Sequence, residues 1–119
     1  MLSPFKIKGE NGAVGVIGGS LEYSGAPYYS AIAALKSGAD LSHVFCHKEA
    51  SLPIKSYSPE LIVHPGFDDE TESILLTKTI RWLKSMSSLV VGPGLGREES
   101  MNKIFNTILN TSKDLGNFY

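Results

Sequence analysis

Two glycine clusters, Gly18-Gly19 in "VIGGS" and Gly92, Gly94 and Gly96 in "VVGPGLG", each follow a short β-branched run directly. Glycine carries no Cβ, so its backbone can approach a nucleotide or its phosphates closely. In a parallel α/β sheet such loops lie beyond the carboxyl ends of the strands, where ligands bind. Glycines so placed also make plain tight turns, and spacing does not separate the two uses. Neither cluster is a standard phosphate motif. G-x-x-x-x-G-K-[ST] is absent, and "GPGLGR" has Arg97 where G-x-G-x-x-G needs its last glycine. A third segment, Ser24-Gly25-Ala26, reads as the start of a helix whose free N–H groups could meet a ligand.

Other reactive residues form no catalytic set. His43, Cys46, His47 and Glu49 invite a metal reading, but side chains alternate along a strand, so His43 and His47 share a face that Cys46 does not. No metal ligands are assigned on that basis. None of the four aspartates, Asp40, Asp68, Asp69 and Asp114, falls in a glycine-rich turn where a base would lie beside a phosphate. Asn110-Thr111-Ser112 matches a glycosylation acceptor, but "MLSPFKIKGENG" has no signal-peptide core to bring it to the secretory route.

The elements that must position these residues alternate. "AVGVI" reads as a strand ended by Gly18-Gly19, and a helix capped by Ser24 or Gly25, with Pro27 in its first turn, runs to Gly38. Ala31, Ala34 and Gly38 give that helix a small-residue face for close packing. "LSHVFCH" and "PELIVHP", the latter between Pro59 and Pro65, are the next strands, with a helical link between them. Asp69 to Ser85 reads as a helix with acidic residues in its first turn, and "SSLVV" as the fourth strand. Met101, Ile104, Phe105, Ile108 and Leu109 then recur at helical spacing. The alternation predicts an α/β layer fold around a largely parallel sheet of about four strands.

Composition narrows the partners. The chain has 119 residues, 42% of them apolar, and a formal charge of -1, the content of one ordinary domain. Eleven basic and twelve acidic residues, scattered along it, give no reason to expect nucleic acid or an anionic membrane. No apolar run approaches the ~20 residues that cross a bilayer. With one cysteine, Cys46, the sequence fits a reducing compartment, so the expectation is the cytosol; a mitochondrial form would need a different N-terminus.

"KGENGAVGVIGGSLEYSGAPYYSAIAALKSGADLSHVFC", "YSPELIVHP" and "VVGPGLGRE" together closely resemble the N-terminal part of the eukaryotic ATP-dependent NAD(P)H-hydrate dehydratases, of the ribokinase-like superfamily. The resemblance runs from about Lys8 to Leu109. It implies a three-layer ribokinase-like (Rossmann-like) fold with helices on both faces of the sheet. It also implies a reaction that restores NADH or NADPH from its hydrate at the expense of ATP, with Mg²⁺. Hydroxide leaves a saturated carbon poorly and a phosphate ester leaves readily, so phosphorylating the hydrate hydroxyl and eliminating phosphate rebuilds the ring double bond. Such a transfer needs backbone donors and a carboxylate base.

By the same resemblance, "SGAP" and "GPGLG" face the hydrated dinucleotide, which carries over to Ala26, Gly92, Gly94 and Gly96, with Gly18 and Gly19 at the same sheet edge. The family's ATP-binding lysine-glycine stretch and catalytic aspartate lie further along than Tyr119. The expectation is therefore that residues 1–119 are the N-terminal part of a single domain, truncated, inactive and marginally stable alone. An exposed sheet edge would leave pairing with a second copy open. Two other readings use the same residues: another ribokinase-like kinase of a small alcohol, which the Tyr23-to-Pro27 stretch argues against, and a non-enzymatic nucleotide-binding or interaction fragment.

Overall fold

The computed structural model describes residues 12–20, 22–94 and 99–115. Four strands, β1 (Ala13–Ile17), β2 (Leu41–His47), β3 (Ile62–Phe67) and β4 (Ser88–Val91), alternate with α1 (Gly25–Lys36), α2 (Ser51–Tyr57), α3 (Ile74–Leu83) and α4 (Glu99–Leu115). The sheet is wholly parallel, in the order β3-β2-β1-β4. Its period-2 alternation sends neighbouring side chains into two separate cores. Val16, Val44 and Cys46 pack with Ala31 of α1 and Ile54 of α2. Ile17, Phe45, Phe67 and Leu89 pack with Leu76 and Leu83 of α3 and Met101, Ile104 and Ile108 of α4. This is the expected three-layer α/β arrangement. No helix among the described residues is long and apolar enough to cross a membrane.

α1 lies on β1 and β2 through Ala31, which is fully buried, and the Ser42 hydroxyl donates to the Ala31 carbonyl at 2.9 Å. Gly38 is not on the helix face: α1 ends at Lys36, and Gly38 sits in the following turn at φ +123°. On α4 the expected stripe holds, with Met101, Ile104 and Ile108 buried and Phe105 and Leu109 half-buried.

Two boundaries differ from expectation for local reasons. β3 runs through Pro65 to Phe67, because it is an edge strand and its pairing with β2 is irregular there: Cys46 faces Pro65 and His47 faces Phe67, leaving Gly66 as the extra residue. The Gly66 carbonyl instead accepts from the Thr79 hydroxyl of α3 at 2.6 Å. α3 begins at Ile74, not Asp69. The Asp68 carboxylate accepts from the Glu70 N–H at 2.8 Å, holding a turn, and Ser73 caps the helix by accepting from the Leu76 N–H at 3.3 Å.

Register also makes a cluster that no local pattern announces. His43 Nδ1 lies 2.9 Å from His64 Nε2, the two rings stack at 5.2 Å, and Trp82 of α3 tilts over His64 at 4.8 Å. Burial holds His43 below the usual imidazole range. His64 is pushed down to about 4, mainly by burial and then by His43 and Lys55.

The unfolded chain takes up these protons below about pH 6.5, whereas the folded chain refuses His64's until about pH 4. Stability should therefore be full above the first value and decline through the window beneath it. Urea unfolding at about pH 7.5 and about pH 5 should show that loss, and His64→Phe should make the slope shallower. An equal slope in the variant would assign the acid sensitivity elsewhere.

Candidate functional site

Chain order runs outward from β1 in both directions, to β2 and β3 on one side and to β4 on the other. Where strand order reverses in a parallel sheet, successive connections leave on opposite faces and open a crevice at the carboxyl ends. The loops bordering that point here are residues 18–20, after β1, and residues 92–94, after β4. Both are tied to the sheet: the Gly18 N–H donates to the Phe45 carbonyl at 3.0 Å, and the Gly92 N–H to the Ile17 carbonyl at 2.9 Å. The Gly19 carbonyl accepts from the His47 N–H at 3.0 Å.

The loops also rest directly on one another. A Cβ on Gly18 would collide with the Pro93 carbonyl. Gly94, at φ +69°, leaves room for the Tyr23 carbonyl where a side chain would start, with Pro27 Cδ 3.0 Å from the same point. Gly19 packs in the same way against Cys46 and Pro27. The segments 18–20, 23–27 and 92–94 thus form one body. At these three glycines the missing Cβ is filled by protein, so their small size serves loop-on-loop packing. Gly92 differs, since the nearest atom to its Cβ position is Phe105 Cζ at 4.0 Å.

Polar donors belong to that body, at the start of α1. Ser24 occupies the N-cap position, yet its side chain makes no cap hydrogen bond. Its hydroxyl is instead 2.8 Å from the Tyr57 hydroxyl of α2. The first-turn N–H groups of Gly25 and Ala26 have no helix carbonyl to donate to, Pro27 has no N–H, and Ala26 is exposed. With the N-terminal end of the helix dipole, this favours an anion.

The structure brings Gly18, Gly19, Ala26, Gly92 and Gly94 together at one sheet edge; Gly96 lies outside the described residues. His47 is also at this edge, in a setting the sequence did not announce. Its Nε2 pairs with Asp69 Oδ1 at 3.1 Å while its Nδ1 accepts from the Glu49 N–H at 3.2 Å. Both ring nitrogens are engaged, so the imidazole ties β2 to the loop before α3. His43, on the same face, belongs instead to the pair with His64, and Cys46 points into the opposite core. Burial pushes the Cys46 thiol up to about 12, far from a working nucleophile. Among the described residues no group of three or more His, Cys, Asp or Glu could hold a metal ion.

A family model described as NAD(P)H-hydrate dehydratase matches residues 14–115. Curated relatives called ATP-dependent (S)-NAD(P)H-hydrate dehydratase are 53% identical in Entamoeba histolytica, over 86% of this chain and 33% of the relative, and 52% identical in Homo sapiens, over 94% and 31%. The chain thus spans about a third of the length of these relatives. Among solved structures, a ribokinase-like superfamily protein of Enterococcus faecalis superposes with a TM-score of 0.74 and 29% identity, over 93% of this chain and 37% of that one. An ADP/ATP-dependent NAD(P)H-hydrate dehydratase of Bacillus subtilis shares the fold at a TM-score of 0.65 and 18% identity, over 92% and 38%.

If the glycines are needed for packing, their replacement should cost according to what each Cβ meets. Gly18→Ala should lower stability by about 1–3 kcal/mol, because a backbone carbonyl has to move. Gly25→Ala, whose Cβ meets only Tyr29 Cε2 at 3.9 Å, should cost nothing measurable. Urea midpoints check this, and equal midpoints would remove the packing account.

Proposed function

The chain belongs to the NAD(P)H-hydrate dehydratase family, and from that premise we propose that it supplies the substrate-binding wall of an enzyme that dehydrates NAD(P)H hydrate to NAD(P)H at the expense of ATP. In this reading residues 1–119 are the N-terminal part of one ribokinase-like domain working in the cytosol. One observation supports it most: the helix start at Ala26 and the turn at Gly92–Gly94 meet at the point where strand order reverses. In this reading the hydrated dinucleotide lies against Ala26, Gly92, Gly94 and Gly96, with Gly18 and Gly19 shaping the crevice.

The work of these residues is binding and orientation. The Gly25 and Ala26 N–H groups donate to phosphate oxygens, where the helix dipole favours negative charge. The glycine loops fix the distance between that donor pair and the rest of the crevice, so the ring hydroxyl is presented in one place. No proton transfer is assigned to Cys46, whose thiol holds its proton, or to His47, whose nitrogens are engaged. ATP is the co-substrate in this reading. Mg²⁺ accompanies it, as in the Bacillus subtilis relative co-crystallised with ATP and Mg²⁺. The described residues offer no cluster of three or more His, Cys, Asp or Glu side chains for the ion.

Ala26 offers a direct test, because it is exposed and a larger side chain there need not disturb the core. Calorimetric titration with NADPH hydrate should give binding to the chain. Ala26→Trp should weaken it by about tenfold or more, equivalent to about 1.4 kcal/mol, with an unchanged urea midpoint. Full affinity in the variant would move the substrate away from the α1 start.

A further inference from the structure

Several serine hydroxyls among the described residues have partners within the protein. Ser51 donates to Lys48, Ser58 accepts from Glu60 and Ser73 from Leu76, while Ser42 reaches across to Ala31 and Ser24 meets Tyr57. Ser20 differs. Among the described residues its Oγ is the one buried side-chain oxygen or nitrogen without a hydrogen-bond partner. A hydroxyl removed from water and left unpaired costs stability, so such a group asks for an explanation outside the free chain.

Its position supplies one. Ser20 directly follows Gly19, which packs on Pro27 of α1, and its carbonyl accepts from the Tyr23 N–H at 3.2 Å. Two residues earlier, Gly18 rests on Pro93. Ser20 therefore belongs to the same body as the α1 start and the 92–94 turn. Its hydroxyl, unlike that of Ser24, is not drawn off by a neighbouring helix. The backbone bonds on either side, at Gly18, Gly19 and Ser20 itself, hold the residue in place without using its side chain.

We propose that Ser20 is a further substrate-contacting residue, whose hydroxyl donates to an oxygen of the bound hydrated dinucleotide beside the Gly25 and Ala26 N–H groups. The inference rests on the substrate reading above. It assigns Ser20 a binding role and no part in proton transfer. Ser20 as a residue is half-buried, so rotation about its Cα–Cβ bond can turn the unpaired hydroxyl out to a ligand oxygen, and no protein hydrogen bond is broken in doing so.

Ser20→Ala separates this from a structural role. The variant deletes an unpaired buried oxygen, so its urea midpoint should equal or exceed that of the unaltered chain. Its affinity for NADPH hydrate, by calorimetric titration, should fall about 3- to 10-fold. Ser56→Ala is the control: Ser56 is exposed and donates to the Pro53 carbonyl, so affinity should not change. Unaltered affinity in Ser20→Ala would overturn the inference and leave the substrate reading standing. Weaker binding with a lowered midpoint would also overturn it, by making the hydroxyl a structural group. Absence of hydrate binding by the unaltered chain would overturn both.

Discussion

A parallel sheet has to be covered on both faces, and β1 is where this protein meets that demand most severely. Val16 and Ile17 are adjacent, point to opposite sides and are both fully buried, one in the α1/α2 core and the other in the α3/α4 core. With β2 and β4 on its two sides, β1 has no open edge either. Covering both faces from a central strand requires the chain to leave in one direction for α1 and return on the other side for β4. The crevice at the carboxyl ends is thus a by-product of satisfying the core. Gly15 inside β1 answers the same demand, since a Cβ there would press on Leu89 and Met86 at 2.9 and 3.0 Å.

The loops at that crevice divide their labour. Backbone meets backbone between Gly18 and Pro93 and between Gly94 and Tyr23, so glycine sets how near the loops can come. The donors come from elsewhere, from the first turn of α1. Tyr57 contributes to their availability from a different helix, by engaging the Ser24 hydroxyl that would ordinarily cap them. An N-cap given up in this way costs on the order of 1 kcal/mol of helix stability. Packing of Pro27 and Ala31, both buried, holds the helix in place regardless.

Much of this was legible because it is local. The β-branched runs, the glycines that end them and the α4 stripe are patterns within a few residues, and each became the element expected. Local competition defeated the start of α3: acidic residues that suit a first helical turn also make turns of their own, and Asp68 did so. The strand expected between Pro59 and Pro65 runs on through Pro65, because an edge strand with a bulge tolerates a residue that lacks an N–H. Pairings that depend on register were out of reach. His47 with Asp69, His43 with His64 and Ser24 with Tyr57 lie 21 to 33 residues apart, and nothing short of the strand order brings them together. The same holds for the site: the glycines were visible as a set, whereas their contact with Pro93 and Tyr23 follows from topology.

Reading glycines as access for a ligand therefore needs a geometric qualification. Absence of a Cβ opens space on one side of the backbone, and at Gly18, Gly19 and Gly94 the protein itself occupies that side. In the reading proposed above, a ligand at this edge is met by groups that the packing leaves over: two helix-start amides, the turn at Gly92 and one buried hydroxyl. Rigid loop contacts make those leftovers precise in position, which is worth more to binding than open space, because little ordering remains to be done when the ligand arrives. The stability given up at an uncapped helix and an unpaired serine is small beside two closed cores. In the same reading it falls where a substrate would supply the missing partners.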